Sequence, residues 1–216
     1  MKGLTKRTTL VLSSLLAIWL CLFLPARLWA QESLDGANGG NAERQLYQKI
    51  VSATKEVKSL SANFVEKKHI AALTELVVSK GRIYYMAPSS MRWEYDAQNY
   101  GICNAKGGYM VRDGKINSGE GRVFAKLGRM ITGFINGSDI DSKMFDVEYN
   151  KVGKEFHIKA TPKNSKMRGL IEYILMRFDS DNYMIKGYSI FNGADSTVIT
   201  FSDIDLSAQP DEQLFK

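Results

Sequence analysis

From residue 42 onward apolar side chains return at steps of four and three, at Leu46, Ile50, Ala53, Val57 and Leu60, while Glu43, Lys49, Lys55 and Glu56 occupy the rest of the wheel. The spacing predicts an amphipathic helix over 42–58, on the order of 25 Å long, with Asn41 as its N-cap. After Ser61 the period changes. RIYYM, MRWEYD, GYMVRD, FDVEYN, EFHIKA, IEYILMRFD, MIKGYSIF and TVITFSDIDL are short, rich in aromatic and β-branched residues, and separated by turn residues such as Asp113-Gly114 and Asn192-Gly193. They predict about ten antiparallel strands. One stretch interrupts the series: residues 122–135 place Val123, Leu127, Met130, Ile131 and Phe134 on one helical face with Lys126 and Arg129 opposite, so a second helix is expected there, closed by Asn136-Gly137.

Strand alternation indicates how these elements pack. Phe145, Val147 and Tyr149 share one face of FDVEYN, and Met91, Trp93 and Tyr95 oppose Arg92 and Glu94 in MRWEY. One sheet face is therefore apolar, and two amphipathic helices need a surface to cover. A strongly curved sheet with its concave face closed by the two helices satisfies both.

The chain begins differently. Lys2, Lys6 and Arg7 precede an uncharged apolar run from Thr8 to Leu24, then Pro25 and LWAQ, with Ala30 before the expected cut. Residues 1–30 read as a secretory signal peptide, with an uncleaved membrane anchor and a lipoprotein cut at Cys21 as the alternatives. The bulky Ile18, Trp19 and Leu20 before Cys21 argue against the second. Residues 31–41, QESLDGANGGN, read as a flexible leader, and 42–216 as a single domain.

The formal charge of +6 changes meaning once the leader is set apart. Residues 1–30 hold four basic side chains and no acid, which leaves 25 basic against 23 acidic in the remainder. That balance gives no reason to expect a nucleic-acid partner. Without Cys21 only Cys103 remains, so no internal disulfide is expected, and Cys103 reads as a buried structural thiol. His69 and His157 sit in different strands and in no metal-ligand spacing, and the sequence has no GxSxG elbow, Walker loop or strand-borne GxGxxG. Neither an enzyme, a metal nor a cofactor is expected. What the chain has in quantity is soft and aromatic side chains, nine Met, ten Phe, ten Tyr and three Trp, which suit both a core and an adaptable apolar surface.

At residues 81–95, GRIYYMAPSSMRWEY resembles the outer-membrane lipoprotein carrier family, LolA, in its Gly-initiated strand, Pro-containing turn and (F/M)RWEY strand. Three further segments resemble the family in the same order: VKSLSANFVEK, with Phe64 at a similar distance before Gly81; GGYMVRDGKI; and TVITFSDIDLSAQPDEQLFK, with its (D/E)xxLF ending. Together they span the mature chain. The resemblance implies a mainly β fold with α, an unclosed antiparallel β-barrel covered by a helical lid. It implies a monomeric periplasmic carrier, not an enzyme, whose apolar cavity holds the acyl chains of lipidated proteins. Such a carrier takes them from an inner-membrane ABC transporter and passes them to an outer-membrane acceptor.

On this view the cavity and lid are lined by Leu46, Ile50, Tyr84, Met86, Met91, Trp93, Tyr95, Leu127, Met130, Ile131 and Phe134. The sequence departs from the family where an Arg commonly precedes the turn proline and helps to latch the lid; here Ala87 precedes Pro88. Relatives with this fold include sensors and carriers of other periplasmic lipids, which stand as the alternative reading, together with a regulatory or scaffolding module.

Overall fold

Two meanders of antiparallel strands, each built from neighbours joined by short turns, share one sheet. The structure, a computed structural model, describes residues 40–73, 75–135 and 143–216, with the backbone alone for 118–120, 122, 123 and 134. The expected signal peptide, most of the leader and the Asn136-Gly137 helix stop lie outside the described residues. All described residues belong to one compact unit, Asn38–Lys216.

Helix α1 (Asn41–Lys55) leads into β1 (Ser59–His69), β2 (Val77–Met86), β3 (Ser90–Asp96), β4 (Asn99–Asn104), β5 (Gly107–Arg112) and β6 (Lys115–Asn117). Helix α2 (Ser118–Ile135) follows, then β7 (Phe145–Val152), β8 (Glu155–Pro162), the one-turn α3 (Ser165–Arg168), β9 (Tyr173–Asp179), β10 (Ile185–Asn192), β11 (Asp195–Asp205) and a closing 3-10 turn, Glu212–Phe215. Helix α1 ends three residues before the expected 58. Residues 59 and 60 pair instead with Met86 and Tyr85, so the sheet ladder takes the end of the helical pattern. Asn41 is the first helical residue, and Gly40 occupies the N-cap without a side-chain hydrogen bond.

The eleven strands form one sheet in the order β6-β5-β4-β3-β2-β1-β11-β10-β9-β8-β7, with every neighbour antiparallel. The first and last strands pair at its centre, and the two edges, β6 and β7, are consecutive in sequence. The connection between them carries α2, and a connection between opposite edges of a curved sheet has to cross its open side. Topology therefore puts this helix over the concavity.

Curvature shows in side-chain distances. Trp93 on β3 and Tyr188 on β10 stand four strands apart, about 19 Å along a flat sheet at ~4.8 Å per strand. Their ring centroids are 6.2 Å apart. The sheet thus bends round until its inward aromatic side chains touch, without closing.

The convex side has its own cover. Ile102 and Val111 face away from the main core yet are buried, as is Phe215 of the 3-10 turn. Asn104 Nδ2 donates to the Phe215 carbonyl at 3.0 Å, the Tyr109 hydroxyl to the Lys216 carbonyl at 2.8 Å, and Arg92 Nη1 to the Leu214 carbonyl at 3.4 Å. The DEQLF segment thus seals the outer face of β3–β5.

Candidate functional site

Strand register decides which side chains point inward. Leu60, Ala62 and Phe64 stand opposite Tyr85, Ile83 and Gly81, and Tyr85 and Ile83 stand opposite Met91 and Trp93. Directly opposed side chains of an antiparallel pair share a face, so these residues line the concavity together. Met91 and Trp93 are buried there, and Tyr95 is half-buried with its ring edge-on to Phe64 at 5.4 Å. Tyr84 and Met86, expected in the lining, lie on the convex face instead; Tyr84 sits under the Arg82 guanidinium, 5.3 Å from its ring centroid. The segment Ile83-Tyr84-Tyr85-Met86 is apolar at four successive positions, so its own alternation cannot fix parity; pairing with β1 and β3 does.

Helix α1 packs through Tyr47 and Ile50, with Leu46 partly buried beside them, and Ala53, expected on this face, is exposed. Tyr47, absent from the expected lining, stacks on Tyr149 of β7 at 4.8 Å. An aromatic stack of this kind contributes about 0.5–1.5 kcal/mol beyond burial.

Helix α2 docks by a face that hydrophobic periodicity does not reveal. Among its described side chains the buried positions are Gly121, Ala125, Gly128, Thr132 and Ile135, spaced four, three, four and three residues apart. A Cβ at Gly108 of β5 would lie 2.8 Å from Ala125 Cβ, and a Cβ at Gly128 would lie 2.9 Å from both Cys103 Cβ and Sγ. Small residues on both sides let the helix backbone lie against the sheet. Cys103 is buried at this contact with its thiol directed at the Ala125 carbonyl, 3.7 Å away, and burial pushes its pKa up. A thiol held protonated is a poor nucleophile.

The flank of α2 carries the expected lid residues. Leu127, Met130 and Ile131 are half-buried and, with Ile135, face Ile174, Met176, Ile185, Tyr188 and Ile190 of β9 and β10 across a cavity. The Phe134 side chain lies outside the described residues. Among the described residues every lining residue is apolar apart from the Tyr188 hydroxyl, and the cavity volume is ≈ 20 Å³, about that of one water site. Helix α2 is thus held on the β3–β5 side by close backbone contact, and its described side chains that face β9–β10 are flexible and apolar.

At the turn before Pro88, the Ala87 N–H donates to the Lys58 carbonyl at 2.8 Å, and the Ala87 side chain packs against the core. A methyl group offers no donor to either helix. Among the described residues, no group of three or more His, Cys, Asp and Glu side chains could hold a metal ion. His157 pairs with Glu155 at 3.0 Å, and His69 is exposed.

The apolar concavity is thus bounded by an eleven-stranded unclosed sheet and capped by the helix that joins its edges. Residues 55–216 match the family model for the outer membrane lipoprotein carrier protein LolA. The chain belongs to the LolA family. Solved structures similar to this LolA-family chain include a LolA superfamily protein from Nitrosomonas europaea, at 8% identity, 79% of this chain and 97% of that one, and TM-score 0.42. Lipoprotein LppX of Mycobacterium tuberculosis is similar at 11% identity, 80% and 100% coverage, and TM-score 0.45. LprF of Mycobacterium bovis is similar at 12% identity, 82% and 99% coverage, and TM-score 0.38. A search of the curated proteins finds no match.

Proposed function

We propose that this LolA-family chain is a periplasmic carrier that shelters the acyl chains of lipoproteins on the concave face, beneath α2, while they move from the inner to the outer membrane. The observation that carries the reading is the cavity between Leu127, Met130 and Ile131 of α2 and the β9–β10 wall, which has no charged side chain in its lining among the described residues. Burying one acyl chain of about 16 carbons is worth roughly 12 kcal/mol at ~0.8 kcal/mol per methylene, so lipidated cargo does not cross water without cover.

A cavity of ≈ 20 Å³ is the closed, empty state of such a carrier. Loading separates the α2 flank from β9–β10. The flank gives way there because its contacts are Met, Leu and Ile side chains that repack readily, whereas the Gly128–Cys103 contact keeps the helix on its other wall. The family's donor and acceptor, an inner-membrane ABC transporter and an outer-membrane receptor, would then compete with a site that binds acyl chains firmly but opens at modest cost. The cycle contains no catalytic step.

The alternative is a carrier or sensor of another periplasmic lipid on the same fold. Mass spectrometry of the protein purified from envelope extracts separates the two: acylated protein or peptide supports the lipoprotein carrier, and free lipid alone supports the alternative.

A further inference from the structure

The loop that joins β1 to β2 runs past the end of the sheet and leaves its apolar side chains in solvent. Leu73, Leu76, Val77 and Val78 are between 41% and 56% exposed. Scattered apolar residues on a surface are ordinary, but four within six positions at the tip of one hairpin mark an interaction site. The loop is fixed at its base: the Ala71 N–H donates to Asp195 Oδ1 at 2.8 Å, and the Leu73 N–H to the Ile70 carbonyl at 2.8 Å. Leu170, exposed on the connection into β9, lies at the same end of the sheet, where Glu172 Oε2 accepts from the Gly193 N–H at 3.2 Å.

Register and charge indicate what covers the tip. Val77 stands opposite Lys68 and Val78 opposite Lys67, and successive strand residues point to opposite faces, so Val77 is exposed on the concave side of the hairpin and Val78 on the convex side. A folded partner lying against one face leaves the other in water; a medium that surrounds the tip buries both, as the interface of a lipid bilayer does. Over residues 67–80 the charged side chains are Lys67, Lys68, Lys80 and one acid, Glu75. Lys68 Nζ is held by Glu66 at 3.2 Å, while Lys67 and Lys80 are exposed on the convex side with Val78. Lys80 follows Val78 by two residues, about 7 Å at ~3.4 Å per residue. Apolar elements settle about 5–10 Å into the boundary between head groups and acyl chains, so a buried tip leaves these ammonium groups among the head groups. The neighbouring connection, KNSKMRGL at 163–170, adds exposed Lys166 and Arg168 and contains no acid.

We propose that the β1–β2 tip docks this protein on an anionic lipid bilayer, with Leu76, Val77 and Val78 entering the interface and Lys67 and Lys80 meeting the phosphates of the head groups. The docking stands on the hairpin alone and does not depend on what lies beneath α2. Ile174 and Ile190 of the cavity wall are paired one row in from the same end of the sheet, so docking presents that end of the cavity to the membrane.

Flotation of residues 31–216, free of the apolar run at 8–24, tests it with protein-free vesicles of phosphatidylethanolamine and phosphatidylglycerol, and with vesicles of phosphatidylcholine alone. The anionic vesicles should bind at least about tenfold more tightly at low salt, and Lys67→Gln and Lys80→Gln should each weaken that binding about fivefold. Leu76→Ser combined with Val78→Ser should weaken it about tenfold, with the thermal melt unchanged because both positions are exposed. An NBD fluorophore on Leu76→Cys should shift to the blue on anionic vesicles, and the same label on Asp181→Cys, in the turn at the opposite end of the sheet, should not; Cys103 is buried and escapes labelling. No association with protein-free vesicles, equal shifts at the two labelled positions, or binding that survives the substitutions overturns the docking tip. Each of those results leaves the carrier reading standing, because lipopeptide binding is measured without vesicles.

Discussion

Gly128 of α2 lies so close to Cys103 of β4 that a Cβ on it would come within 2.9 Å of the Cys103 Cβ and Sγ. Cys103 is buried in a sheet strand and has no flexible end to swing aside, whereas Met91 Cε, 3.1 Å away, can yield. Gly128→Val should therefore lift α2 from the sheet. Helix overpacking of this kind costs about 1–3 kcal/mol in stability. The opened variant should also bind an environment-sensitive apolar dye more strongly than the wild type in the absence of lipid. Denaturant melts and dye titrations measure the two effects on one preparation.

Met130→Glu and Ile131→Glu place carboxylates on the α2 flank facing β9–β10. Both residues are half-buried, so the closed protein can expose the new charge and stay folded. Acyl binding should fall at least about tenfold, because a loaded chain would bury the carboxylate. Unchanged circular dichroism with lost binding is the expected pair of results.

The concave sheet face and the helix flank were legible in the sequence to different degrees. Met91, Trp93 and Tyr95 alternate with Arg92 and Glu94, and that contrast set their face correctly. In Ile83-Tyr84-Tyr85-Met86 no polar partner marks the outer side, so parity emerges only from long-range pairing with β1 and β3. The docking face of α2 was hidden for the opposite reason: Gly121, Ala125, Gly128 and Thr132 carry little hydrophobic signal, and their burial reflects how closely two backbones approach. Glu66 was equally silent, since nothing local shows that a carboxylate between Val65 and Lys67 will be buried under Tyr95.

Phe215 supports the convex side and not the cavity. Phe215→Ala should cost about 3–5 kcal/mol of stability, as for other buried Phe, and leave acyl affinity per folded molecule unchanged. Chemical denaturation and binding to the remaining folded fraction distinguish this from a lid defect.

Three tyrosines report the dryness of the concavity. Burial pushes the Tyr85 phenol up to about 12 and raises Tyr95 and Tyr188 further, Tyr95 being helped by the neighbouring Glu66 carboxylate. A phenol with a raised folded-state pKa contributes stability below its ordinary value of 10.0, and that stability is lost as pH rises toward the folded value. Alkaline titration followed by tyrosinate absorbance should show a late phase that coincides with unfolding, smaller in Tyr95→Phe and Tyr188→Phe.

Ala87 leaves the turn before Pro88 without a side-chain donor, so the closed form relies on small-residue docking and apolar contact. Ala87→Arg should add charge-assisted bonds toward the helices and slow the uptake of a fluorescent acyl probe by about tenfold, the effect of one bond worth ~1.5 kcal/mol. Stopped-flow mixing measures the rate; an unchanged rate would mean that α2 does not gate entry.

Acyl-chain binding beneath α2 can be read by native mass spectrometry of residues 31–216 mixed with a synthetic triacylated lipopeptide. A one-to-one complex should form with the wild type and be lost in Met130→Glu while that variant remains folded. Absence of the complex in the wild type, or its persistence in the variant, would contradict acyl-chain binding beneath α2.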